Sequence, residues 1–123
     1  MKLKAFDHVN ILTSNLDAMI TWYESVLGMT KGDRPNFSVP GAWMYLHGHP
    51  IVHLVGQDDT PKAIEPRLEH FAISAEGLPE FLKILETKGQ RYRLSKVPGH
   101  DITQVNIWDP DMNHIHIDFN ETV

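Results

Sequence analysis

Cysteine is absent from the chain, so disulfides, thiolate metal ligands and cysteine nucleophiles are all excluded. No apolar run approaches the roughly 18 residues of a membrane-spanning helix. The opening Met1-Lys2-Leu3-Lys4-Ala5 is basic, but no apolar stretch follows that would make a signal peptide. Lysine and arginine are scarce, 11 residues against 16 Asp and Glu, which leaves a net charge of -5. With no dense basic run, that balance argues against nucleic-acid binding. A soluble cytoplasmic protein that touches neither membrane nor nucleic acid is therefore expected. Hydrophobic residues make up 41% and charged residues 22% of 123 positions, a globular mix that suits one domain with a core needing no staples.

Histidine is what the chain has in excess, with eight residues. In the absence of cysteine, imidazole and carboxylate are the strong metal ligands that remain.

Hydrophobic periodicity predicts the elements. Ala5 to Leu12 alternates as a strand, with Val9 and Ile11 on one face and His8, Asn10 and Leu12 on the other. Thr13-Ser14-Asn15 supplies N-cap chemistry for a helix over Leu16 to Leu27, with Leu16, Ile20, Tyr23 and Leu27 on one face and Gly28 as its stop. Residues 30 to 41 read as a short strand plus a loop. Strands follow at Ala42 to Leu46 and Ile51 to Val55, joined by the turn His47-Gly48-His49-Pro50. A polar connector spans Gly56 to Arg67. The cycle then repeats: a strand at Glu69 to Ser74, a helix entered near Pro79 with Phe81, Leu82 and Leu85 inward, a stop at Gly89, and strands at Tyr92 to Val97, Thr103 to Trp108 and His114 to Phe119. The expected class is α+β, two tandem βαβββ repeats of about 4–56 and 68–121.

The spacing supports duplication. Gly28 and Gly89 lie 61 positions apart, His8 and His70 62, and His53 and His116 63. In each strand the histidine opposes the apolar residues: His53 opposes Val52 and Leu54, His70 opposes Phe71 and Ile73, and His116 opposes Ile115 and Ile117. Four imidazoles on the outer faces of two equivalent modules are candidates to converge.

The strings DHVNILTSNLDAMITWYESVLGM, IVHLV, EHFAIS and WDPDMNHIHIDF resemble the glyoxalase/bleomycin-resistance/extradiol-dioxygenase (vicinal oxygen chelate) superfamily over nearly the whole chain. The Trp22-Tyr23 pair before a Leu-Gly turn and the DPDGN-like turn before the last strand carry that resemblance. It implies mostly antiparallel sheets curving around a cleft, a homodimer, and a small-molecule substrate with adjacent oxygens. It also implies one divalent metal (Zn, Ni, Fe or Mn) held at the first and last strands of each module, here His8, His53, His70 and His116. Relatives that hold metal usually carry Glu at one or both of the positions of His53 and His116. Their replacement by His weighs against ordinary glyoxalase I chemistry and makes these two the candidate catalytic bases.

A metal held by neutral imidazoles is a strong Lewis acid, so isomerase or lyase chemistry is the first expectation. Extradiol dioxygenation is the alternative, as is metal-free sequestration of an antibiotic. A fosfomycin-type thiol transferase ranks behind these. Asn10, Gln104, Asn106 and His114 lie on the proposed cleft faces, where they either orient substrate or are solvated polar residues. Asp118 shares a face with His116 and is placed to orient it. His47, His49 and His100 read as exposed turn or loop residues. Arg34, Arg93 and Lys96 read as solvated charges, and Phe37, Trp43 and Trp108 as core packing or an aromatic lining. The phase of Tyr45 is open.

Overall fold

The computed structural model describes residues 1–122. It consists of two compact units that divide after Lys62.

In the first unit the elements run β1 (Val9–Thr13), α1 (Leu16–Ser25), β2 (Thr30–Gly32), β3 (Gly41–Leu46) and β4 (His49–Gly56). Their sheet has the order β1-β4-β3-β2. The β1–β4 pairing is parallel, and the other two pairings are antiparallel. The alternation that predicts β1 reappears as burial: Ile11 and Thr13 are buried while Asn10 and Leu12 are exposed. The strand starts at Val9, so His8 stands just ahead of it rather than within it.

Helix α1 packs on β3 and β4. Its buried seam is Met19, Trp22, Tyr23 and Val26, spaced i, i+3, i+4, i+7 as one helical face requires. The expected seam through Leu16, Ile20 and Leu27 is corrected by about one position, and those three residues are half-buried flanks. Ala42, Met44, Val52 and Leu54, none more than 1% exposed, meet the helix from the sheet, each large side chain contributing about 1.5–3 kcal/mol by leaving water. The helix stops because Gly28 takes φ +69. The Gly28 and Met29 amides then reach the carbonyls of Glu24 and Tyr23, satisfying the last turn. His47 (φ 49) and Gly48 (φ 78) form the two-residue β3–β4 turn, whose positive dihedrals match the strand twist.

The second unit has the same order: β5 (His70–Ala75), α2 (Leu78–Thr87), β6 (Tyr92–Lys96), β7 (Thr103–Trp108) and β8 (His114–Phe119). The sheet runs β5-β8-β7-β6, with β5 and β8 parallel. Each sheet is thus mixed, antiparallel except at one edge. Leu78 and Leu85 of α2 are buried, and Phe81 lies against Phe119 of β8. Glu121 closes the start of α2, its carboxylate accepting from the Gly77 and Leu78 amides at 2.8 and 3.2 Å. Between β7 and β8, Asp109 Oδ1 accepts from the Asp111 and Asn113 amides, both at 2.9 Å. Among the described residues no helix is long and apolar enough to cross a membrane.

Candidate metal centre

The parallel pair at the sheet edge positions the histidines in both units, and it does so identically. In the first, His53 pairs with Asn10, two residues after His8. In the second, His116 pairs with Ala72, two residues after His70. Side chains alternate along a strand, so each histidine of β4 or β8 shares a face with the one at or just before β1 or β5. The rings meet accordingly: His8 stacks on His53 with centroids 3.8 Å apart, and His70 lies 4.2 Å from His116.

Each ring is anchored on one side. His8 Nδ1 donates to Asp7 Oδ2 at 2.6 Å, and His116 Nδ1 to Asp118 Oδ1 at 2.6 Å. His53 Nε2 donates to the Pro50 carbonyl at 3.0 Å. His70 Nδ1 stands 3.4 Å from Glu69 Oε2. Among the described residues, no hydrogen bond occupies His8 Nε2, His53 Nδ1, His70 Nε2 or His116 Nε2. One nitrogen tied to an oxygen and the other open is the usual arrangement of a metal-ligating imidazole. Each pair therefore supplies two donors of the kind a borderline divalent ion takes. Two imidazoles on one tetrahedral ion stand about 5 Å apart between centroids, so the pairs at 3.8 and 4.2 Å must each open for both rings to bind one ion. His8 lies ahead of β1 and is exposed, so opening the stack breaks no strand pairing.

Electrostatics favour ligation at His53. Burial, with 9% of the residue exposed, and then the neighbouring His8 hold its imidazole below the ordinary histidine range. The neutral ring, with its lone pair on Nδ1, is thereby favoured. Asp7 is held low first by its hydrogen bond with His8, and Glu69 first by its hydrogen bond with His114.

The flanking strand differs between units. Opposite His53 stands Trp43, stacked on it at 4.1 Å. Opposite His116 stands Asn106, which is only 3% exposed. Asn106 is committed rather than free: Nδ2 donates to the Arg93 carbonyl and to Ser95 Oγ at 3.0 Å each, and Oδ1 accepts from His114 Nε2 at 2.9 Å. Gln104 accepts from Ser95 Oγ at 3.2 Å. Of the four residues expected to contact substrate, only Asn10 is an exposed strand residue with an open face. His49, expected to be a plain turn residue, donates to the Asp7 carbonyl at 2.8 Å. Tyr45 turns away from the core and donates to the Asp33 carbonyl. Trp108 stacks on His114, and the Arg91 guanidinium lies over the Trp108 ring at 4.4 Å.

Sequence reasoning passed over Glu69. Its carboxylate, His70 and His114 each place a ligand atom within 4.8 Å of the others. The signal was present: Glu69 abuts a strand histidine, and His114 pairs with His70 across the parallel ladder.

A family model described as the Glyoxalase/Bleomycin resistance protein/Dioxygenase superfamily matches residues 5–117. The chain belongs to that superfamily. A relative named Glyoxylase I 4 from Arabidopsis thaliana is 30% identical over 119 residues, covering 90% of this chain and 68% of its own. A manganese-dependent 2,3-dihydroxybiphenyl 1,2-dioxygenase from Geobacillus genomosp. 3 is 27% identical over 90% of this chain, which spans only 38% of that enzyme. The crystal structure of a glyoxylase/bleomycin resistance protein/dioxygenase domain from Frankia sp. EAN1pec superposes with a TM-score of 0.78. Its identity is 19%, with 96% of this chain and 93% of that chain covered. The two-module α+β architecture is thus that of the glyoxalase fold.

Proposed function

We propose that this chain is a metal-dependent enzyme of the superfamily, acting on a small molecule with adjacent oxygens by isomerase- or lyase-type chemistry. His8, His53, His70 and His116 are the ligands of its divalent ion. The observation that carries this reading is the matched construction of the two histidine pairs. The register is the same in both units, with one nitrogen of each ring anchored and the other open.

When bound, the ion supplies a Lewis acid that polarises a substrate oxygen. The chain's own residues do the rest. Asp118 keeps the His116 proton on Nδ1, so Nε2 is the basic atom. The Pro50 carbonyl keeps the His53 proton on Nε2, so Nδ1 is basic. Each of these two stands where metal-holding relatives usually carry glutamate. Either would serve as the base that takes the substrate proton at that open nitrogen. Asn10 offers an amide to the substrate. Gln104, Asn106 and His114 act through the network that holds the β8 histidines. The two repeats work as one domain of a cytoplasmic homodimer, which sedimentation tests directly.

The test is metal analysis after loading with Zn, Ni, Fe or Mn, followed by turnover assays. Hemithioacetals of dicarbonyls and 2-oxo acids are the expected substrates, with His116→Ala inactive. Full turnover by His116→Ala overturns the role of that residue, and less than about 0.1 equivalent of metal favours a sequestering protein instead. The manganese-dependent dioxygenase relative supports a second reading, ring-opening of a catechol. Turnover of catechols in the presence of oxygen alone selects it.

A further inference from the structure

The second unit holds more ligand atoms than the proposed centre uses. His114 Nδ1 lies 2.5 Å from Glu69 Oε2, and His70 Nδ1 lies 3.4 Å from the same oxygen. The hydrogen bonds around Asn106 decide what that close contact is. Both hydrogens of Asn106 Nδ2 are donated, to the Arg93 carbonyl and Ser95 Oγ, so Oδ1 is the acceptor and His114 Nε2 is the donor. With one N–H fixed on Nε2, His114 turns Nδ1 straight at a carboxylate oxygen. Nitrogen and carboxylate oxygen at that distance share a positive centre, either a second ring proton or a cation held by both. His114 also has the orienting partner expected of a ligand, its far nitrogen held by a buried amide.

We propose that Glu69, His70 and His114 form a second cation site, contained entirely in the second unit and sharing only His70 with the centre of the proposed function. Ring placement supports it. Two imidazoles on one tetrahedral ion stand about 5 Å apart between centroids, and His70 and His114 are 5.2 Å apart. Donor atoms on such an ion are about 3.3 Å apart, and the Glu69–His70 separation of 3.4 Å matches. The three ligand atoms already lie within 4.8 Å of one another; the Glu69–His114 contact must widen, and Glu69 is an exposed side chain. The donor set of two nitrogens and one carboxylate oxygen selects Zn2+, Co2+ or Ni2+ over Mg2+ or Ca2+. The first unit does not repeat the triad in register, because Ile51 stands where His114 stands in the second; there Asp7 lies instead against His8 and the turn residue His49. His70 belongs to both sites, using Nδ1 here and Nε2 in the proposed centre. An imidazole holding a cation on each nitrogen must lose its last proton, so the second ion binds more weakly and opposes the first.

The role of His70 rests on the proposed function, but the site itself does not. The experiment is a cobalt titration of the metal-free full chain, followed by visible d–d absorption. Wild type is expected to show a weaker class of binding that persists in a His8→Ala/His53→Ala double variant. That class weakens at least ~10-fold in Glu69→Gln and in His114→Gln, with thermal unfolding checked for each. A weak class that is absent in wild type, or unchanged in both Glu69→Gln and His114→Gln, overturns the proposal and leaves a shared proton as the positive centre. The stronger class reports separately: if the double variant keeps it at wild-type affinity, the four-histidine reading fails while the second site stands.

Discussion

His116 and Asp118 sit two residues apart on β8, their side chains on the same face, joined by a 2.6 Å hydrogen bond from Nδ1 to Oδ1. An aspartate so placed fixes the ring's orientation and raises the basicity of Nε2. Removing such a partner typically costs 10- to 100-fold in metal affinity. Asp118→Asn keeps the shape but not the charge, so we expect zinc affinity to fall by about 10-fold. His116→Ala is expected to lose more. Competition against a chelating dye measures both, and an unchanged affinity in Asp118→Asn removes the aspartate from the site.

Much of this pairing was legible in the sequence. Alternation alone puts Asp118 with His116, and the near-constant offset between repeats pairs His8 with His70 and His53 with His116. Period-two and period-3.6 patterns report faces, and faces were read correctly for β1, β4, β5 and β8. Seams were read less well: in α1 the apolar residues are dense enough that two adjacent faces look equally apolar, and packing selected Met19, Trp22 and Val26. What the sequence conceals is commitment. Asn106 and Gln104 look like free polar side chains on a cleft face. Only the β6–β7–β8 register shows that they are spent on Arg93, Ser95 and His114. The contact of Glu69 with His114, 45 residues away, emerges only once the parallel β5–β8 register is known.

Asn106 is the hinge of that network. Truncation to Ala leaves His114 Nε2 and the Arg93 carbonyl without their partner in a site that is 3% exposed. An orphaned buried polar group costs about 1–3 kcal/mol. Urea unfolding of Asn106→Ala in the metal-free state is expected to show a loss in that range. A change below about 0.5 kcal/mol would mean that water replaces the amide at no cost.

The depressed affinity of His53 for protons links folding to pH. Burial and His8 hold its folded value below the unfolded one, which is about 6.5. The folded state therefore binds fewer protons than the unfolded state in this range. Stability is fully present above about pH 6.5 and is lost as the pH falls through the folded value. His53→Phe keeps an aromatic ring between His8 and Trp43 and removes the titration. In the metal-free chain, the variant's stability should fall less steeply than wild type on acidifying from pH 7. Equal slopes would show that His53 protonates freely in the fold.

The turn after β7 contains a residue in a conformation that suits glycine. Met112 has φ 68, where an L side chain crowds its own backbone at about 1–2 kcal/mol. Its amide donates to the Asp109 carbonyl at 2.8 Å, and Asp109 also gathers the Asp111 and Asn113 amides. The turn is thus imposed by its neighbours, whatever occupies position 112. Met112 is 61% exposed, so its side chain contributes little packing to lose. Against the relief stands the larger backbone entropy of glycine in the unfolded chain, roughly 0.5–1 kcal/mol. The strain term is the larger, and Met112→Gly should raise stability by about 0.5–1 kcal/mol. Thermal and urea unfolding measure this directly. A destabilised variant would show that the methionine side chain covers apolar surface that the strain argument leaves out.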